Sequence, residues 1–222
     1  MRVWTNVFVS ICLVAVSASS VHADLIAGNF GPGDSYQTGG GNSWGVGYDF
    51  SVPPSYYSIA VAFTNTSSTT YSLDQFRFAA NYYSGTNSLT ATFYGGSSDL
   101  NSATLLESFT FSAPTPYDQY IYVASSTVHP WLLPGETYFI TLSVPQDSET
   151  LWGWQFNDQG QTGGWLTQIN SDPWYELTYV TPVFDVHASP VPEPSTLIMF
   201  SLLMVTLGTV GACSRRKQTV SA

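Results

Sequence analysis

The sequence predicts an all-β fold, an antiparallel β-sandwich of jelly-roll-like form, flanked by an N-terminal signal peptide and a C-terminal transmembrane helix. Three observations favour the sandwich. Between residues 24 and 188, about seven to ten short segments alternate apolar and polar residues with period two, as half-buried strands do. Turn-forming sequences such as GTNS, YGGSSD and LPGE separate these segments. No amphipathic helix stands out between the termini. A barrel is the alternative architecture.

The alternating segments also predict which residues form the core. YYSIAVAF places every second residue from Tyr57 to Phe63 on one face. In LLESFTF, the charged residue Glu107 falls on the otherwise apolar face. The predicted core consists of Ile59, Val61, Phe63, Leu73, Phe76, Phe78, Phe93, Phe109, Phe111, Ile140 and Leu142.

The charge distribution excludes one class of partner. From Asp24 to Asp185 the sequence has 14 acidic residues and one basic residue, Arg77, so that segment carries a formal charge of −13. Such a segment repels phosphate backbones, and we expect no nucleic-acid partner. An acidic surface poor in lysine is typical of an extracytoplasmic protein. The two cysteines, Cys12 and Cys213, lie in the terminal apolar segments, so the central domain has no thiol chemistry.

Residues 1–23 have the pattern of a signal peptide. Arg2 supplies a short positive region, and an apolar stretch from Val7 to Val16 follows it. Small residues at Val21 and Ala23 then mark a cleavage point after Ala23. We therefore expect the protein to be secreted across the inner membrane; an uncleaved N-terminal anchor is the alternative.

The C-terminal residues predict a membrane anchor. Residues 189–195 form a Pro-rich stalk, because proline fixes φ and blocks a helix. Residues 196–213 are largely apolar, and as a helix rising about 1.5 Å per residue they nearly span a hydrocarbon core of about 30 Å. Residues 214–222 form a basic tail with Arg215, Arg216 and Lys217. The positive-inside rule keeps this tail cytoplasmic and places the central domain outside.

The order of these C-terminal features resembles the PEP-CTERM sorting signal of Gram-negative bacteria. Pro192, Glu193 and Pro194 form the motif, and the apolar run and basic cluster follow it directly. The resemblance covers residues 191–217. It implies that an exosortase, a membrane cysteine protease, recognises the motif and passes the protein to the cell surface or the exopolysaccharide matrix. A simple single-pass anchor with a Pro-rich stalk is the alternative.

The central domain, residues 24–188, resembles the choice-of-anchor type of extracellular β domain. AVAFTNTSSTTYSLDQFRFA is similar to a strand pair of that type, and LLPGETYFITLS is similar to its Leu-x-Pro-Gly-x-x-Tyr strand start. LWGWQFN is similar to the Trp-rich strand that follows. This resemblance implies an extracellular β domain without indicating a particular chemistry.

We expect no enzyme. His129, which precedes Pro130, is interpreted as a loop residue because nothing marks a partner serine for it. A glycosidase would need two carboxylates facing a sugar, such as Asp158 with Asp172 or Glu176, or Asp147 with Glu149. Spacing in sequence does not show that any such pair shares a cleft.

We also expect no cofactor. Calcium is the metal that the residue types favour most, because the NDQG and NSDP segments are rich in oxygen ligands, but ordinary Asx turns explain them equally well. The NTS sequence at Asn65 is formally a glycosylation sequon.

A cluster of aromatic residues indicates a possible sugar site. Trp152 and Trp154 are two residues apart, so they share one face of a strand. An exposed pair of indoles would stack on sugar rings, with Asn157 and Asp158 bonding the hydroxyls. Other aromatics, Trp165, Trp174 and Tyr175, follow closely. The alternative is that both indoles are core.

Two functional hypotheses result. The first is a non-enzymatic surface or matrix protein, which predicts buried tryptophans and no cleft. The second is a carbohydrate-binding module of the extracellular matrix, which predicts an exposed face at Trp152 and Trp154. We favour the first. An extracellular hydrolase is a third possibility.

Overall fold

A computed structural model describes residues 23–39, 41–49, 55–146 and 149–192. The predicted signal peptide up to residue 22, most of the sorting motif, the predicted transmembrane helix and the basic tail lie outside these residues. In the described part of the chain, no helix has the length and apolar character needed to cross a membrane.

The described residues form 13 strands, and all their pairings are antiparallel. This confirms the predicted all-β, antiparallel fold. A short 3-10 turn, Leu100–Ser102, interrupts them. The strands are β1 (Asp24–Gly28), β2 (Ser43–Asp49), β3 (Ser55–Thr64), β4 (Tyr71–Ser84), β5 (Leu89–Gly95), β6 (Thr104–Phe111), β7 (Gln119–Ser125), β8 (Trp131–Leu132), β9 (Thr137–Ser143), β10 (Leu151–Gln155), β11 (Thr162–Ile169), β12 (Tyr175–Val180) and β13 (Phe184–Pro190).

Two long strands organise the sheet. Strand β4 pairs with β13 and then β10 along one edge, and with β8 and then β7 along the other. Strand β3 pairs with β2 and then β9 along one edge, and with β11 along the other. Strands β5 and β6 extend the sheet from β9, and β12 extends it from β11. The pairing of β10 with β2 joins the two halves.

The halves built on β4 and β3 face each other as the two layers of a β-sandwich do. Phe76 of β4 stacks on Phe93 of β5 with ring centroids 6.0 Å apart, and Phe78 meets Phe111 of β6 at 5.4 Å. The predicted core residues are buried, except that Phe109 and Phe111 are half-buried at its margin. Alternation places these side chains inside because successive residues of a strand point to opposite faces.

Glu107, the charged residue on the apolar face, is buried, and both of its carboxylate oxygens accept hydrogen bonds. Its carboxylate accepts hydrogen bonds from the Ser126 hydroxyl, from Thr127 N at 2.7 Å and Oγ1 at 2.9 Å, and from Val128 N at 3.2 Å. Burial raises the pKa of Glu107, but these hydrogen bonds to the charged form outweigh it, and the pKa lies below its ordinary 4.5. The carboxylate therefore holds the turn after β7 against β6.

Arg77 is the one lysine or arginine among the described residues, and two aspartates hold it. Its Nε donates to both carboxylate oxygens of Asp185 at 3.0 and 2.9 Å, while Nη1 and Nη2 donate to Asp34 at 3.0 and 2.9 Å. Asp185 is only 3% exposed, so an unpaired carboxylate there would be costly. Arg77 thus neutralises a buried charge and ties the loop after β1 to β4 and β13.

The strand directions give the sandwich two distinct ends. Strand β13 ends at Pro190, opposite Tyr71 at the start of β4, and Val191 N then donates to Thr70 O at 2.9 Å. The sheet therefore extends into residues 189–191, at the start of the predicted stalk. We call this end, which also carries Thr64 at the end of β3, the exit end. The start of β3 lies roughly 30 Å away at about 3.3 Å per residue.

We predict that Glu107→Gln lowers the free energy of unfolding by about 2 kcal/mol at neutral pH, because hydrogen bonds to a charged acceptor are replaced by weaker ones. Since the folded-state pKa is lowered, this stabilisation is present above the unfolded pKa, near 4.5, and is lost as the pH falls through the folded value. Denaturant unfolding from neutral to acidic pH measures both effects.

The matched control is Glu136→Gln, because Glu136 is exposed. We expect it to change stability by less than about 0.5 kcal/mol. Equal effects of the two substitutions, or a Glu107→Gln deficit that does not shrink in acid, would contradict this account of Glu107.

Candidate functional site

A closed ring of backbone pairing surrounds one cleft of the domain. Strand β3 pairs with β11 on one edge and β2 on the other, and β2 pairs with β10. Beyond these, Val183 N donates to Gln155 O at 2.8 Å, and Asn157 N donates to Thr181 O at 3.2 Å. The chain leaving β12 is thereby joined to the end of β10. Because β12 pairs with β11, the ring is complete.

The aromatic cleft inside this ring has a volume of about 430 Å³. Small-molecule sites typically measure about 300–1,000 Å³. Tyr57, one of its residues, precedes Thr64 by seven positions on β3, so this part of the cleft lies about 23 Å from the exit end. Its lining comprises Trp44, Gly45, Gly47, Tyr48, Asp49, Tyr57, Ile59, Leu151, Trp165, Thr167, Tyr175 and Leu177.

Strand register explains why these side chains meet, since residues opposed across a pair of strands share a face. Gly47 of β2 opposes Tyr57 of β3. On the other edge of β3, Thr167 of β11 opposes Ile59, and Tyr175 of β12 opposes Thr167. Four strands therefore present one continuous face to the cleft.

Two glycines of β2 line the cleft, and they tolerate substitution differently. A Cβ at Gly47 would lie 2.1 Å from Thr150 O, and Gly47 has φ +115°, so only glycine fits there. Gly45 differs, because its Cβ would meet Leu151 Cδ1 at an ordinary 3.6 Å. A larger residue is therefore accommodated at Gly45, and it would reduce the space in the cleft.

Trp44 closes one side of the cleft. Its Nε1 donates to Val180 O at the end of β12, at 3.1 Å. Its ring lies 4.3 Å from that of Trp165 and meets Tyr179 edge-on at 5.4 Å. One side chain of β2 is therefore tied to both β11 and β12.

The electrostatics of the cleft favour neutral, hydroxylated ligands over anions. Among the described lining residues, Asp49 is the only charged one. Burial, followed by the charges of Asp49 and Tyr175, raises the pKa of Tyr57, so its phenol stays protonated and can donate a hydrogen bond. Aromatic rings offer flat apolar faces beside these polar groups. Such a combination suits a sugar ring and repels phosphate.

Trp152 and Trp154 do not form the exposed platform that a sugar site would need. Both are 0% exposed. Trp152 packs against Tyr82 and Tyr122 at 5.5 and 5.9 Å, and Trp154 Nε1 donates to Val183 O at 2.8 Å. Strand β10 lies between β4 and β2, so its tryptophan face turns into the core. The two indoles share a face, as their spacing predicts, but that face is the inner one.

Asn157 and Asp158 are not part of the cleft either. Asn157 is 0% exposed and donates from Nδ2 to Gln161 O and Thr181 O, both at 2.8 Å. It therefore holds the turn between β10 and β11. Asp158 is exposed, and hydrogen bonds from Ser35 and Gln159 lower its pKa. Its carboxylate is thus occupied locally.

The processing residues fall at the boundary of the described chain. Ala23 is exposed and immediately precedes β1, whose first residue, Asp24, opposes Ala188 near the exit end. Pro192 is also exposed. The other predicted sorting residues, Glu193, Pro194, Arg215, Arg216 and Lys217, lie outside the described residues.

Two short nucleophile patterns occur in the sequence. Residues 41–45 read Gly-x-Ser-x-Gly, but Ser43 begins strand β2, whereas that motif requires a strand-to-helix turn. Its hydroxyl lies 3.2 Å from Tyr83 Oη. The second pattern, Ser-x-x-Lys at 214–217, lies outside the described residues. His129 has its Nδ1 2.9 Å from Leu73 O, in a half-exposed loop.

The sequence also suggested a metal site and a glycosylation sequon at Asn65. No group of three or more metal-ligating side chains occurs within the described ranges. Asn65 is 0% exposed and donates from Nδ2 to Thr69 O at 3.0 Å and Leu132 O at 2.9 Å. Its amide is therefore inaccessible to a glycosyltransferase in the folded domain.

Sequence reasoning missed most of the cleft. Of the aromatic cluster that it singled out, Trp165 and Tyr175 line the cleft. Tyr57 was predicted only as part of a strand face, and Trp44 and Tyr48 were not singled out. One signal was available. WGVGY, at residues 44–48, places glycine at every second position and so leaves one face of the strand without side chains.

Comparisons with known proteins establish no family for the chain. No family model matches it, and no curated protein matches it. Among solved structures it is similar to the cysteine protease and lectin-like domains of a surface-layer-associated protein of Clostridium difficile. The two are 11% identical with a TM-score of 0.44, and the match covers 71% of this chain and 38% of the other. Similarity at that level carries no functional conclusion.

We predict that Trp44→Phe loosens β12, because it removes the hydrogen bond to Val180 O while keeping an aromatic ring. The expected loss of stability is about 1 kcal/mol, with faster amide exchange in β12. The control is Trp165→Phe, because Trp165 Nε1 is buried and has no hydrogen-bond partner. Equal β12 protection in wild type and Trp44→Phe would show that this bond does not close the cleft.

Proposed function

We propose that this chain is a secreted, non-enzymatic surface or exopolysaccharide-matrix protein, sorted through a C-terminal PEP-CTERM signal that an exosortase processes. The observation that carries the proposal is the sequence order of Pro-Glu-Pro, apolar run and basic cluster directly after the domain. In this proposal a signal peptide ending at Ala23 exports the chain. The apolar run anchors it transiently as a transmembrane helix. A jelly-roll-like sandwich is the part displayed.

The end of the domain supports access by a membrane protease. Strand β13 holds the chain as far as Pro190, and Val191 makes the last described backbone bond to the domain. Pro192 is exposed beyond it. The motif therefore begins where the sheet ends, so that cutting there leaves the core intact.

A second function, sugar binding, is favoured by the aromatic cleft. The cleft combines aromatic rings, hydroxyl groups and one carboxylate, which are the groups that stack on sugar rings and bond their hydroxyls. In this proposal the cleft, and not the Trp152 and Trp154 pair predicted from the sequence, provides the aromatic surface on which sugar rings stack. In this proposal the displayed domain holds a neutral polysaccharide of the matrix.

The sorting proposal predicts a defined C-terminus. Intact mass of the mature protein from its native host should show a chain that starts near Asp24 and ends near Pro192. That species should disappear from cells that lack the exosortase. A C-terminus unchanged at Ala222 in both strains would make this chain an ordinary single-pass surface protein and remove the sorting claim.

The sugar proposal predicts that Gly45→Val weakens binding to exopolysaccharide isolated from the producing cells by at least about tenfold, equivalent to 1.4 kcal/mol. The valine narrows the cleft without a backbone clash, so the fold should persist. Tyr175→Ala should weaken binding too, because it removes a stacking ring. Affinity electrophoresis or calorimetry measures the change, and circular dichroism checks the fold.

Tyr117→Ala is the matched control for this test, because Tyr117 is 70% exposed and lies outside the cleft. It should bind like wild type. Wild-type affinity in both Gly45→Val and Tyr175→Ala would remove the cleft as the binding site.

A further inference from the structure

The exit end carries an exposed apolar cluster that the proposed function does not use. Trp131 is 65% exposed, Leu133 is 44% exposed and Val128 is 62% exposed. Leu132, between the first two, is 0% exposed. Trp131 and Leu133 therefore point to the same outer side while Leu132 enters the core. We call Val128, Trp131 and Leu133 the exit cluster.

The exit cluster lies beside the point where the chain leaves the domain. Trp131 opposes Ser72 of β4, and Ser72 opposes Ser189 of β13 on its other edge. Neighbouring strands lie about 4.8 Å apart, so the Trp131 and Ser189 backbones are only about 10 Å apart. The Trp131 position is also fixed, because Tyr138 Oη donates to Trp131 O at 3.1 Å.

The remaining chain is too short to carry this cluster far from a membrane. Only residues 193–195 separate Pro192 from the apolar run that begins at Thr196. Even fully extended, the span from Pro192 to Thr196 covers no more than about 14 Å. With the run inserted in a bilayer, the exit end lies at the headgroup region.

We propose that, before processing, the exit cluster inserts into the surface of the membrane in which the C-terminal run is anchored. This inference rests on the proposed function. Tryptophan is one of the side chains that prefer the membrane interface, because its ring is apolar and its indole N–H is polar. The acidic domain, with Glu136 exposed beside Leu133, selects zwitterionic over anionic lipid.

This contact would also orient the domain. Tyr57 of the aromatic cleft lies about 23 Å from the exit end along β3, on the side away from the bilayer. An anchored precursor would thus hold its cleft outward. It would also hold the Pro-Glu-Pro segment against the membrane surface, where a membrane protease acts.

The test uses the exported precursor, Asp24 to Ala222, which lacks Trp4 of the predicted signal peptide. It is reconstituted into vesicles of zwitterionic phosphatidylcholine with a nitroxide-labelled headgroup. The nitroxide quenches tryptophan fluorescence on contact. Trp152, Trp154 and Trp165 are at most 1% exposed and are shielded from it. We expect Trp131→Phe to reduce the nitroxide-dependent quenching at least about twofold, because Trp131 supplies the interfacial contact. Vesicles rich in anionic phosphatidylglycerol should reduce it in wild type.

Leu133→Ser should weaken the quenching, whereas Val123→Ser should not. Val123 is 45% exposed on β7 and lies away from the exit end. Suppose that the chain stays with the vesicles after an alkaline wash, but the fluorescence of Trp131→Phe is quenched as much as that of wild type. The C-terminal run is then a membrane anchor, but the exit cluster does not touch the membrane. If the alkaline wash removes the chain, both the proposed membrane anchor and the membrane contact of the exit cluster are contradicted.

Discussion

Strand β3 is paired along both edges, and the aromatic cleft depends on that constraint. Strands β2 and β9 divide one edge between them, while β11 takes the other. Because β2 pairs with β10, and the chain that follows β12 is hydrogen-bonded to the end of β10, the sheet at this point must curl into a ring. Gly47, which no other residue can replace, lets β2 approach Thr150 closely enough for the ring to close. The space that remains is the cleft.

A domain with a single lysine or arginine must satisfy its buried acids mostly in other ways. Arg77 supports Asp185, the more buried of its two partners, whereas Glu107 relies on hydroxyl and backbone donors alone. Glu107 and Asp185 are the buried acids among the described residues, and the other described carboxylates are at least partly exposed at the surface. The same surface charge disfavours anionic partners, which agrees with a cleft lined by phenols, indoles and one carboxylate. Charge and cleft chemistry therefore point to neutral ligands.

The local sequence predicted the strands well, but it did not predict which strands pair with each other. Alternation identified the inner face of β3, because Ile59, Val61 and Phe63 need only their own strand to share a side. The same rule paired Trp152 with Trp154 but could not say which face was inner, since that depends on β10 lying between β4 and β2. Phe109 and Phe111 are only half-buried because β6 is an edge of the sandwich. The cleft joins segments more than 100 residues apart, from Trp44 to Leu177, and no local pattern encodes that meeting.

The aromatic cleft inside the ring formed around β3 is the basis of the second proposed function, in which the displayed domain binds matrix sugar. The most direct measurement is a crystal structure of the processed protein soaked with oligosaccharides released from the exopolysaccharide of its own host. We expect a sugar ring between Trp44 and Tyr175, with its hydroxyls near Tyr57 and Asp49. Sugar bound at another surface, with the cleft empty, would contradict this proposal.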